Sequence, residues 1–563
     1  MPSKTSFFNF TVFKKTVLQN YPFWVLFWIA LILGLPLNAF KTADAVVFCR
    51  NSLTVIIILS VPAAMGAALV SFNYLSKTRS CYMMHSFPVT KLSLYASNGL
   101  AGLAMLLVPF LTSFTFSLSS ALSFSTLFML CLLSLAVILF FYALAVLSMI
   151  VTGNSTAAVF LYAFLNIGAV VLEFLIRVLL EPLMYGFYAK KYISYPFSPI
   201  FRLIETLDEL PNYLPLQHYC AFLAVLAAVF LFLGYFLYRL RHAEAAGEIV
   251  AHAASRPIFK YLVTVFASLA LGEFFCLIIF QDVDSYRNTL SVSAMLILGA
   301  FLGFFGAEML LRKSLRVFTG KNILAFLIYS FLLLGTLAIF YFDLPGFVAK
   351  VPASEDICSV EFQLPNEIIP VRIEDPEDFE SVRDIHEELI SERDFDSSTL
   401  RYASSNFVIV YHLQSGKELC RHYPVYMDSE TQSKISALCS EPEITKAWIS
   451  DVFESCGEMR LECYVPAGVS DNEAYELPGM YEIGSGDYWI NYEIADSQKD
   501  LLKEALLADA AEGKFEIFRQ EYPDDLIEIS LYYEENGNIK YVGLLPIPAE
   551  CGRASAFMKG ILA

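Results

Sequence analysis

The chain has 563 residues, 56% hydrophobic and 17% charged, with a mean hydropathy of +0.55. That apolar excess excludes an ordinary soluble globule. Charge is unevenly placed: residues 1–344 carry 21 Lys and Arg against 13 Asp and Glu, whereas residues 345–563 carry 17 against 43, so the tail, at net −26, is repelled by nucleic acid and anionic lipid.

Nine apolar runs follow one another, near residues 21–40, 46–72, 95–118, 122–150, 157–180, 219–240, 261–280, 290–311 and 323–342. A helix of about 20 apolar residues spans a bilayer, and only helices or closed barrels satisfy their own backbone there. The predicted fold class is therefore a polytopic all-α membrane bundle of about nine transmembrane helices, residues 1–346, followed by a soluble acidic α+β domain, residues 347–563. Ahead of the first run, Phe7, Phe8, Phe10 and Phe13 alternate with polar residues and lead into Lys14 and Lys15. This suits a helix lying in the inner interface; a plain basic flank is the competing reading.

Lys and Arg in loops set orientation. With the N-terminus inside, the cytoplasmic loops hold 14 of them and the outer loops 6, namely Lys41, Arg50, Lys190, Lys191, Arg202 and Arg287. Nine spans then place the acidic domain outside. Between the second and third runs lies a short basic amphipathic loop containing Lys77, Arg79, Met83, Met84, His85, Phe87, Pro88 and Lys91. Pro88 ends any helix before it. Met83, Met84 and Phe87 are expected to pack on a partner while the cations stay in water. An anchor obeying the positive-inside bias is the alternative.

Charges inside spans are costly and therefore informative. Glu173 and Arg177 lie four apart and are expected to pair on one helix face. Glu308 is expected to pair locally with Arg312. Glu273 has no basic neighbour in sequence, and its partner must come from elsewhere. The outer connection 181–217 is rich in Pro and aromatic residues, among them Tyr185, Phe187, Tyr188, Tyr192, Tyr195, Pro196 and Pro199, a composition that fits broken or re-entrant helices as well as a plain interfacial loop.

Catalytic signals are missing. Gly320-Lys321 continues into Asn322, and Leu315 stands where a phosphate-binding loop needs its first Gly. His386-Glu387 opens like a zinc-protease helix, but Ile390 replaces the second His. Cys456 and Cys463 have no zinc-site spacing. No catalytic residue, metal site or cofactor is expected, and ATP hydrolysis must come from another subunit.

The tail repeats at an offset of 121 residues over about 367–426 and 488–547. Ile369, Val371, Ile373 and Asp375 align with Ile490, Tyr492, Ile494 and Asp496, and Val408, Val410, Tyr411 and Gly416 with Ile529, Leu531, Tyr532 and Gly537. Each apolar alternation reads as a strand and each Asp as a helix N-cap, giving strand, helix and hairpin twice. Six cysteines, Cys358, Cys420, Cys439, Cys456, Cys463 and Cys551, permit disulfides in an external domain; free thiols are the alternative.

The stretch His85-Ser86-Phe87-Pro88-Val89-Thr90-Lys91, running into Leu94-Tyr95-Ala96-Ser97-Asn98, resembles the first cytoplasmic loop of type-2 ABC-transporter permeases of Gram-positive bacteria. Arg241-His242-Ala243-Glu244-Ala245-Ala246-Gly247-Glu248 and Ala307-Glu308-Met309-Leu310-Leu311-Arg312-Lys313-Ser314 resemble the same group. The resemblance covers roughly residues 1–342. It implies an exporter permease in a bacterial cell membrane, working as a homodimer or with a second permease, whose loop 77–91 docks on an ATP-binding-cassette ATPase. Three extra spans and the outer domain depart from the family's six-helix pattern. A membrane sensor whose outer domain binds a ligand and signals through the bundle is the alternative.

Overall fold

The computed structural model describes residues 7–41, 44–117, 123–188, 197–279, 289–363, 370–391, 403–426, 430–455, 458–465, 480–484, 487–515, 517, 527–535, 538–547, 551 and 553–554. Lys190, Lys191, Tyr192, Tyr195, Pro196, Arg287, Ile369, Cys456 and Gly537 lie outside them.

The chain divides into two units, one of Met1–Leu179 with Tyr192–Leu334, the other of Leu180–Lys191 with Gly335–Ala563. The first is helical. Its elements are α1 (Phe10–Gln19), α2 (Tyr21–Lys41), α3 (Ala45–Phe72), α4 (Thr78–His85), α5 (Lys91–Ser117), α6 (Phe124–Val151), α7 (Ser155–Leu183), α8 (Pro199–Asp208), α9 (Leu214–Leu240), α10 (Arg256–Ile279), α11 (Thr289–Arg312) and α12 (Gly320–Tyr341). Each of the nine apolar runs overlaps one of these helices over most of its length. Among the described residues eight helices are long and apolar enough to cross a bilayer, or nine if α1 and α2, bent by 65°, count as one broken span. This is a multi-pass membrane protein.

The α1 helix forms where the aromatic and lysine pattern placed it. Asn9 caps it by accepting from the N–H groups of Thr11 and Val12, and its own N–H donates to Ser97 Oγ at 2.8 Å. Phe7, Phe10 and Leu18 stay exposed.

The core runs along α6, which is apolar all round and buried almost without a break from Val137 to Ile150. A helix with no polar face belongs at a bundle centre. It packs between α3 and α9. The last three spans form a satellite. Gly299 and Gly303, one turn apart on α11, face Ala267, Ser268 and Thr264 of α10; a Cβ on Gly299 would lie 2.6 Å from the Ala267 carbonyl oxygen. Small residues at this spacing let backbones meet closely in lipid. Ser268 Oγ adds a bond across the pair to Leu296 O at 3.0 Å.

The second unit is α+β. It contains β1 (Ile357–Gln363), β2 (Val371–Ile373), α13 (Asp378–Ser391), β3 (Ala403–Leu413), β4 (Glu418–Tyr426), α14 (Glu430–Cys439), α15 (Pro442–Ser455), β5 (Glu458–Val465), β6 (Met480–Gly484), β7 (Asp487–Glu493), α16 (Asp496–Ala511), β8 (Ile527–Glu535) and β9 (Asn538–Ile547). Two antiparallel sheets have orders β2-β1-β3-β4 and β6-β7-β5-β8-β9. The second repeats the first, with β7, β5, β8 and β9 in the places of β2, β1, β3 and β4 and with β6 added at the edge. One apolar core, including Val360, Phe362, Val382, Trp448, Leu502 and Ile529, is shared by both halves.

Three details differ from the sequence expectation. Each half opens with a strand, β1 or β5, that the 121-residue offset does not reveal. Val360 lies opposite Ile373 and Tyr411, and Met459 accepts from the Ile494 N–H and lies opposite Leu531, so Tyr411 corresponds to Leu531, one residue out of register with the sequence match to Tyr532. At the same level the β8–β9 pairing carries a bulge, Leu531 lying opposite Gly543 and Tyr532 opposite Tyr541. The helix caps also differ. Asp375 accepts from Glu377 N–H in a turn ahead of α13, whereas α16 is capped from within, Gln498 Oε1 accepting from the Ala495 N–H, with Asp496 its first residue. Of the six cysteines, Cys439 and Cys551 are buried and Cys358 is exposed.

His386 faces the core of this domain. It is fully buried on α13, with Nδ1 2.9 Å from Tyr411 Oη and Nε2 2.8 Å from Tyr423 Oη. Burial, aided by the Arg421 charge, pushes its pKa down from 6.5 to about 3. The folded domain thus favours neutral His386, and its contribution to stability is complete above pH 6.5 and lost as pH falls from there toward 3. Acid titration followed by circular dichroism should show a loss on the order of a few kcal/mol over that window. His386→Gln, which can keep both bonds without titrating, should flatten it.

Candidate functional site

Helix C-termini leave carbonyls without partners and carry the negative end of the helix dipole. At one face of the bundle three such ends converge on Arg241, which follows the last residue of α9. Its Nη1 donates to Met149 O, Ile150 O and Thr152 O at 3.0, 2.9 and 2.7 Å, at the end of α6. Its Nη2 donates to Leu75 O at 2.8 Å, in the turn after α3. The side chain is buried, with 5% of the residue exposed, and its hydrogen bonds go to carbonyls alone. Lys91, at the start of α5, donates to Arg239 O and Arg241 O at 3.0 and 3.3 Å. Two cations therefore join four helix termini. The chain after α9 continues the contact: Gly247 N–H donates to Gly153 O, Ala251 N–H to Val151 O, and Thr152 pairs with Val250 in a β-bridge.

The α4 helix is seated on this knot. Cys81 is buried beneath it, and Thr78 Oγ1 lies 3.4 Å from Ala246 O. His85 is half-buried against the rings of Tyr74 and Tyr238, whose hydroxyls meet at 3.0 Å. Burial first, then the charges of Lys91 and Arg241, hold the His85 pKa below the ordinary histidine value. The helix stops at His85, three residues ahead of Pro88, with the Ser86 N–H bonding back to Tyr82 O and Ser86 Oγ to Met83 O. The outward face carries Lys77, Arg79, Tyr82, Met83, Phe87, Pro88 and Lys91; Tyr82 and Met83 are more than half exposed. Met84, grouped in the sequence with the outward residues, turns inward and packs on the bundle core. In an eight-residue helix whose inner side is set by buried Cys81 and half-buried His85, Met84, next to His85 and three residues after Cys81, falls on the inner side and Met83 on the outer.

The intramembrane charges are not gathered into one site. Arg177 and Glu173 pair on α7 at 2.8 Å. Glu308 is more than a local partner of Arg312. It pairs with Arg312 at 2.5 Å and with Lys260 of α10 at 3.4 Å, and accepts from Asn322 Nδ2 of α12 at 3.2 Å. One buried carboxylate so ties the last three spans together. Glu273 is half-buried on α10, and its Oε1 is enclosed without a hydrogen-bond partner among the described residues. No cluster of His, Cys, Asp and Glu fit for a metal occurs among the described residues.

Arg241 itself escaped the sequence reading. In sequence it is one more cation at the end of a span, and nothing local marks it as the one that turns inward. No family model matches the chain, and no curated protein and no solved structure matches it.

Replacing Arg241 by Met should destabilise the detergent-solubilised protein by about 3 kcal/mol or more, since charge-assisted bonds are worth roughly 1.5–3 kcal/mol each and several buried carbonyls lose their donor. Arg241→Lys should recover only part, because one ammonium cannot span the fork. Thermal unfolding reads both.

Proposed function

We propose that this chain is the membrane-spanning permease subunit of an ATP-binding-cassette exporter in a bacterial cell membrane, with its N-terminus in the cytoplasm and its acidic domain outside. The observation that carries this reading is α4: a short amphipathic helix whose cationic and apolar face is turned to water while its other face rests on the ends of α3, α6 and α9. A partner that pushes on α4 moves those three helix ends together through Arg241. Closure of ATPase subunits on nucleotide is such a push, and re-packing of the spans then opens the path outward. The chain itself lacks a phosphate-binding loop, so the motor is a separate subunit, and a second copy or a second permease completes the pathway.

Parity supports putting the tail and the end of α7 on one side of the membrane. The unit that holds the tail also holds Leu180–Lys191, the segment leaving α7. Four spans separate that segment from the end of α12, so both emerge on one side of the bilayer whatever the count before α7. The same observation favours the second reading, a sensor in which the domain reports to the bundle through α7. An ATPase partner separates the two.

Photocrosslinkers at Met83 or Phe87 should capture a co-expressed ATPase, and one at Met84 should capture it poorly. Capture of no ATPase from any of these positions contradicts the docking assignment. A membrane-impermeant maleimide should label the exposed Cys358 in intact, wall-stripped cells, with Cys358→Ser as control. Labelling only after permeabilisation would place the domain beside the ATPase.

A further inference from the structure

Strand β4 meets two stretches of chain that belong to different spans. The first follows α7. Gly186 forms an antiparallel bridge with His422, whose N–H donates to Gly186 O at 3.2 Å. Tyr185 Oη donates to Leu389 O on α13 at 3.0 Å, and its ring lies 5.3 Å from that of Tyr423. Leu183 and Met184 are buried. Gly186 has φ +78°, and a Cβ there would meet the Tyr423 ring at 2.7 Å, so the bridge needs glycine twice over. The second stretch follows α12. Asp343 accepts from the N–H groups of Phe347 and Val348 at 2.7 and 2.8 Å, folding the exit into a turn. The fully buried Arg421 donates to Phe347 O at 2.8 Å and lies 3.9 Å above the Phe347 ring. The rings of Phe187 and Phe347 are 6.1 Å apart.

Three successive residues, Arg421, His422 and Tyr423, thus hold both exits. Behind them Tyr423, His386 and Tyr411 form a buried chain of hydrogen bonds from β4 through α13 to β3. A satisfied polar network in a packed core is rigid and has one arrangement. Against such a backing the exits cannot shift without the strand.

We propose that β4 is a mechanical coupler: it fastens the end of the α7 span to the exit of the α12 span, so that these two ends stay joined through the working cycle and any displacement of the soluble domain is imposed on α7. The coupler gives the domain a role in conformational control, and it stands whether the motor is an ATPase or the domain's own ligand.

The test uses the full chain in lipid nanodiscs. Cysteines introduced as Phe187→Cys and Phe347→Cys, with Cys358→Ser and Cys420→Ser, should form a disulfide in high yield. Adding Gly186→Val should cut its rate of formation and speed amide exchange at 419–423 and 386–389 by about tenfold, as expected when a local unit opens, with α10 and α11 unchanged. A milder variant, Tyr185→Phe, loses the bond to Leu389 O and should speed exchange at 181–188 and 386–391 together. Exchange that rises at 181–188 alone, or a disulfide rate indifferent to Gly186→Val, overturns the coupler.

Discussion

A buried guanidinium bonded to helix carbonyls holds one face of the membrane bundle together. Burying a cation is expensive unless its donors are met. Here the Nη1 and Nη2 donors are met by carbonyls at the C-terminal ends of α6 and α3, where both the orphan acceptors and the helix dipole favour positive charge, while Nε is enclosed without a partner among the described residues. Arg rather than Lys suits the task, since a planar fork reaches two helix ends at once. The rest of that face follows: Lys91 closes the start of α5 onto the carbonyls flanking Arg241, the chain after α9 lies along the end of α6, and α4 is left on top with its cationic, aromatic side outward.

The last three spans solve the same problem with the opposite sign. Glu308 is a buried anion shared by Lys260, Arg312 and Asn322, one from each helix. Glycine contacts between α10 and α11 do the remaining work, because lipid supplies no hydrophobic drive to bring helices together. In the soluble domain the central polar group is instead kept neutral. His386 accepts burial by giving up its proton and bonding two tyrosine hydroxyls. Glu273, half-buried with one carboxylate oxygen enclosed and unpartnered among the described residues, is the place where none of these solutions is seen.

The spans were legible because hydropathy is a local property: a run of apolar residues announces a membrane helix without reference to anything else. The helix at α1 and the break before Pro88 were local in the same sense. The domain was legible as alternation and as matched helices and hairpins, but β1 and β5 were not, since different lengths of chain separate them from β2 and β7, and β8 lies one residue out of register with the sequence match. Within α4 the sequence could not say which of Met83 and Met84 faces water. Arg241 and the Gly186–His422 bridge were invisible for a stronger reason. Their partners lie 89 to 236 positions away in sequence, and no local pattern records them. The contacts that join one helix end or strand to another thus depend on tertiary placement.

The central claim, that this bundle is driven through α4 by a separate motor, is tested most directly by purifying the chain gently from its own membranes and assaying ATP hydrolysis. The account predicts that an ATPase comes with it and that its activity falls when Tyr82, Met83 and Phe87 are changed together to Ser while the protein stays folded. A chain that purifies without any nucleotide-hydrolysing partner, or an activity indifferent to that surface, would contradict it.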